Sequence, residues 1–68
     1  MKNEIQAYLD ANYHNGRHPG KQGELAEVVG VRREYLNRII HDKITPTVPL
    51  AIQIARALGR VVEDVFVE

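Results

Sequence analysis

Residues 22–40 read QGELAEVVGVRREYLNRII, and the architecture turns on this stretch. Leu25, Ala26, Val28 and Val29 share one face of a helix over residues 22–29, at the helical advance of about 100° per residue. Gly30 follows as a stop, because glycine reaches the left-handed backbone conformation without a Cβ penalty. A second helix then places Leu36, Ile39 and Ile40 on one face. Two short helices joined so tightly need a small residue where they cross, a permissive turn residue, and apolar residues after the turn to hold the angle. Ala26, Gly30, Val31, Leu36 and Ile39 stand at those offsets. A larger side chain at Ala26 would force the two helices apart.

Outward from this pair the chain divides into short helical pieces. Upstream, Asn3 is placed as an N-cap, and Ile5, Tyr8, Leu9 and Asn12 follow at helical spacing. That piece ends before HNGRHPGK (14–21), whose Gly16, Pro19 and Gly20 rule out continuous helix. Downstream, DKITPT (42–47) reads as a loop and Thr47 as an N-cap. Pro49 sits in the first turn of VPLAIQIARAL, where its missing N–H costs little, and Gly59 ends that helix. The tail RVVEDVFVE (60–68) suits a fifth short helix, although its valines and phenylalanine also suit a strand. The expected fold is all-α, a compact five-helix bundle forming a single domain over residues 1–68, with a helix–turn–helix at about 22–41.

Composition narrows the function classes. At 68 residues and without cysteine, the chain excludes a disulfide scaffold and a cysteine-based zinc site, and fits a reducing, cytoplasmic setting. No apolar run approaches the ~18 residues of a membrane span, so no membrane role is expected. His14 and His18 are four apart, but Gly16 and Pro19 break any helix there and no third ligand is evident. Nothing pairs a nucleophile with a base, so neither a cofactor nor catalysis is expected. Net charge is zero, with nine Lys and Arg against nine Asp and Glu. Their distribution is more telling: Arg17, Lys21, Arg32, Arg33, Arg38 and Lys43 fall in the middle of the chain, while Glu63, Asp64 and Glu68 crowd its end.

The pattern Gln22, Leu25, Ala26, Gly30, Val31, Leu36 and Ile39 resembles the helix–turn–helix of phage Cro and repressor proteins and their bacterial relatives, the XRE-like family. PTVPLAIQIARALG and VEDVF resemble the segments that follow it in that family, so the likeness runs over roughly residues 22–66. This chain departs from the family in four places. Arg32 stands where Ser or Thr usually caps the second helix. Ile40-His41-Asp42 stands where Glu-Asn-Gly is frequent, and Arg60 replaces a small polar residue. The 14–21 connection is also longer than usual.

The resemblance implies a lambda-repressor-like domain that binds double-stranded DNA. The helical wheel points the same way: Glu34, Arg38 and His41 lie opposite the apolar face of the second helix, flanked by Asn37 and Arg33. Arg33 or Arg38 suits guanine O6 and N7, Glu34 a cytosine amino group, and Asn37 an adenine. Glu34 and Arg38 are also four apart and equally suit a surface ion pair. Tyr35 lies at the edge of the buried face, suited to partial packing or to a base. In the family the residue matching Gln22 bonds a phosphate and braces the reading helix; the plain alternative is a helix-start residue. Lys21, Arg17, Arg32, His41 and Lys43 are candidate phosphate contacts, and the 14–21 loop is either a further phosphate-touching element or simply solvated.

One reading helix covers few base pairs, and a homodimer would double them. The tail offers Val61, Val65, Phe66 and Val67 as a dimer contact within 60–68. Alternatively, Val62, Val65 and Phe66 close the core of the monomer. The expected function is a sequence-specific transcriptional regulator, a repressor acting as a homodimer on an operator. The competing readings are an antitoxin with a protein partner, or a helix–turn–helix interaction module without DNA binding.

Overall fold

The computed structural model describes residues 2–67, and Met1 and Glu68 lie outside it. Its elements run β1 (Lys2–Asn3), α1 (Ile5–Tyr13), α2 (Gln22–Val29), α3 (Arg33–Ile40), α4 (Val48–Ala57), α5 (Val62–Val65) and β2 (Phe66–Val67). The five expected helices are present, and a two-stranded antiparallel ribbon, Lys2 opposite Val67 and Asn3 opposite Phe66, is added where the chain ends meet.

The junction of α2 and α3 forms for the reasons visible in the sequence. Gly30 sits at φ 76°, ψ 32°, the left-handed region. This turns the chain so that the N–H groups of Gly30 and Val31 both donate to the Ala26 carbonyl, at 2.9 and 3.0 Å. Arg32 is extended and enters α3 without a side-chain cap. At α4, Thr47 caps as expected, its hydroxyl accepting from the Leu50 N–H at 3.4 Å, with Pro49 in the first turn.

Each helix contributes to one core: Ile5 and Leu9 of α1, Leu25 and Ala26 of α2, Leu36 and Ile39 of α3, Ile54 and Ala55 of α4 with Leu58 at its end, and Val65 of α5. Asn12 is the one buried polar residue among the described residues, and its Nδ2 donates to the Leu58 carbonyl at 3.5 Å, tying α1 to the end of α4.

Three expectations are corrected. Val28 is 63% exposed rather than on the inner face of α2, because it lies about 200° around the helix from Ala26. Asn3 is not the N-cap of α1: it belongs to β1, and Glu4 takes the cap position without a side-chain bond. Val65 is fully buried in the core and offers nothing to a partner. Phe66 and Val62 are half-buried and pack against the same core, Val67 is half-buried in β2, and Val61 alone of the proposed contact residues is well exposed. A core drawn from so short a chain needs the tail to close it. Helix and strand propensity are both expressed there, as one turn of α5 running into β2.

The 14–21 connection returns against α1. A Cβ built on Gly20 would lie 2.5 Å from the Tyr13 Cα, so only glycine fits there, whereas a Cβ on Gly23 in α2 meets nothing within 4 Å. The two positions therefore predict opposite responses. Gly20→Ala lowers unfolding free energy by ~1–3 kcal/mol through overlap with backbone. Gly23→Ala raises it by ~0.5–1 kcal/mol through helix propensity. Urea unfolding of both variants checks the signs.

Candidate nucleic-acid interface

Burying Leu36 and Ile39 turns the other side of α3 to solvent, and Arg33, Glu34, Asn37 and Arg38 are all exposed there. With Gln22 at the first turn of α2 they line one groove of about 340 Å³. The two helix starts are brought together because the turn at Gly30 folds α3 across α2. A neighbouring groove of about 560 Å³ shares Gln22 and Arg33 and is also lined by Lys21, Gly20, Gln6 of α1, Glu24 and Glu27. Lys21 also lies 5.7 Å from the Tyr13 ring centroid, a cation–π distance that holds the start of α2 near α1.

The other expected phosphate contacts are spread around this groove rather than in it. Arg32, at the N-cap position of α3, instead lines an apolar hollow of about 530 Å³ with Val31, Tyr35, Pro49 and Leu50. Tyr35 remains 38% exposed, with part of its ring against that hollow. His41 is the exposed C-cap of α3, and Lys43 is exposed just beyond it, its N–H donating to the Arg38 carbonyl at 2.8 Å. Arg17 is exposed in the loop, where its N–H donates to Asn15 Oδ1 at 2.9 Å.

Two residues outside the expected set, Gln6 and Asp10, extend the support of α3. Asn37 Nδ2 donates to Gln22 Oε1 at 3.2 Å, Gln22 Nε2 donates to Gln6 Oε1 at 3.1 Å, and Gln6 Nε2 donates to Asp10 Oδ1 at 2.9 Å. Gln22 thus braces α3, and the brace extends onto α1. The Gln6–Asp10 spacing of four on a helix was the available signal; nothing in the order of residues placed it against Gln22.

At the other end of α3, Asn3 Nδ2 faces three acceptors, the carbonyls of Ile39 and Ile40 at 2.9 and 3.3 Å and Asp42 Oδ1 at 3.2 Å. Its Oδ1 meanwhile accepts from the Ile5 N–H at 3.2 Å. Asn3 therefore fastens the first turn of α1 to the last turn of α3. Asp42 takes φ 59°, the left-handed conformation that ends α3 and that glycine serves more cheaply.

The fold and this surface define a class: a helix–turn–helix protein whose second helix presents a polar, arginine-bearing face. A family described as helix-turn-helix, of the XRE type, matches residues 20–64, and the chain belongs to it. It is 33% identical over 67 residues to an uncharacterized HTH-type transcriptional regulator of Methanocaldococcus jannaschii, covering 98% of this chain and 92% of that one. It is 47% identical over 47 residues to one from Methanothermobacter thermautotrophicus, 68% of each chain. A third, from Archaeoglobus fulgidus, is 44% identical over 46 residues, 68% of this chain and 65% of its own length. The chain thus spans just under two thirds of that last relative. Among the described residues no helix is long and apolar enough to cross a membrane.

Removing the Asn3 amide leaves the last carbonyls of α3 to water. Asn3→Ala is expected to cost ~1 kcal/mol of stability. It should speed amide hydrogen exchange at His41 and Lys43, whose N–H groups close the final turn. Exchange followed by NMR checks this, and unchanged protection there would show that the Asn3 bonds contribute nothing.

Proposed function

We propose that this chain is a sequence-specific DNA-binding transcriptional regulator, a repressor that acts as a homodimer in the cytoplasm. The observation that carries the reading is the groove in which Arg33, Glu34, Asn37 and Arg38 converge with Gln22. An α-helix fits the B-DNA major groove, and these side chains offer donors and acceptors matched to base edges. Arg38 and Arg33 take guanine, Glu34 accepts from cytosine and Asn37 pairs with adenine. Gln22 and Lys21, at the start of α2, hold the adjacent phosphate, where free helix N–H groups favour an anion. Arg17, Arg32, His41 and Lys43 meet phosphates farther along and set register without reading sequence.

Size supports two copies. The chain measures 28 × 23 × 19 Å, less than the ~34–36 Å between half-sites one helical turn apart. Two copies therefore fit side by side on one face of the duplex. With Val65 in the core, the contact between them falls to Val61, together with the half-buried Phe66 and Val67. Glu63 and Asp64 lie on the same tail, away from α3 in sequence, so net neutrality is compatible with a basic reading helix.

Selection of bound fragments from random DNA at two salt concentrations tests the reading. Wild type should enrich an inverted repeat. Arg38→Ala should relax one base position per half-site, at a cost of ~1–3 kcal/mol of discrimination. Lys21→Ala should weaken binding to all sequences alike and reduce the salt slope by about one. Absence of enrichment at either salt overturns the proposal.

A further inference from the structure

The amide chain from Asn37 to Asp10 has a direction, and the direction comes from its far end. A carboxylate accepts hydrogen bonds and donates none. Asp10 therefore requires the Gln6 amide to turn its NH₂ toward α1, which aims Gln6 Oε1 at Gln22. Gln22 must then present Nε2 to Gln6 and Oε1 to Asn37, and Asn37 must answer with Nδ2. A carboxamide that spends one N–H in this way keeps its oxygen and its second N–H. That free edge, one acceptor and one donor, matches adenine N6 and N7 in the major groove. Were the chain reversed, Asn37 would turn its oxygen toward Gln22 and its NH₂ outward, and the two donors then presented match the guanine acceptors N7 and O6.

We infer that Asp10 and Gln6 on α1 are positioning residues that set, through Gln22, which hydrogen-bonding edge Asn37 turns toward DNA. This rests on the DNA-binding reading above. Asp10 itself is exposed on α1 and does not line the α3 groove. Its effect on base choice is transmitted by the orientation of three amides in turn. A simple staple between α1 and α2 would change stability and leave base identity alone.

The test combines fragment selection with side-chain amide spectra of the free protein. Asn37→Ala first identifies the base position that Asn37 reads, as the one whose preference is flattened. Asp10→Glu preserves an acceptor and should leave that position unchanged. Asp10→Lys supplies a donor, reverses the chain, and should shift the adenine-to-guanine enrichment ratio at that position about tenfold toward guanine. The added charge strengthens binding to every sequence and so cannot mimic a change at one position. Positions read by Arg33, Glu34 and Arg38 should keep their preferences, and the melting temperatures should stay together.

An unchanged preference in Asp10→Lys, or no position flattened by Asn37→Ala, overturns the inference. Failure of wild type to enrich any site overturns the DNA reading itself. The spectra then decide the amide chain separately: Asp10→Lys must move the Asn37 and Gln22 side-chain NH₂ resonances, and unmoved resonances refute it.

Discussion

The close crossing of α2 and α3 at Ala26 is the constraint on which the other contacts depend. The Ala26 methyl is nearly fully buried, while its carbonyl receives both N–H groups of the turn. Side chain and backbone of one residue thus fix both the separation of the helices and the angle between them. Leu36 and Ile39 are delivered to the core by that angle, and the polar side of α3 is consequently delivered to solvent. Gln22 reaches Asn37 only because the starts of α2 and α3 come together. A protein interior transmits such constraints because it is close-packed and has little free volume to absorb a shift.

Much of this was legible in the order of residues. The turn at Gly30, the small residue at Ala26 and the apolar spacing of Leu36 and Ile39 are local features, and a local rule suffices to read them. The cap at Thr47 with Pro49 is of the same kind. Arg33, Glu34, Asn37 and Arg38 were found because burial of one side of a helix settles the other. Their positions on the surface follow from the wheel; what they bind is a further matter.

What escaped was non-local. Asn3 satisfies cap rules for α1, yet its amide is used nearly forty positions away, on the carbonyls that end α3. The valine-rich tail could be read as surface or as core, because apolarity alone does not say which side of a chain turn faces inward. Closing the core required Val65, and Val61 was left outside. Gln6 and Asp10 carried only an ordinary helical spacing, and their relation to Gln22 depends on how α1 is laid against α2. In a small fold each of these distant pairings is a tertiary choice among sterically similar options.

The ribbon that joins Lys2 and Asn3 to Phe66 and Val67 closes a circuit through nearly the whole chain. Contacts between such remote residues carry the greatest loop-closure entropy in the chain. Terminal segments ordinarily fray independently of each other. Here they share hydrogen bonds, and the Glu4 N–H adds another to the Val65 carbonyl at 2.7 Å. Opening either end therefore releases both, along with the Asn3 amide that holds the last turn of α3. The two ends and the last turn of α3 are thus linked by hydrogen bonds, and a sub-global fluctuation that loosens the tail is expected to loosen that turn with it.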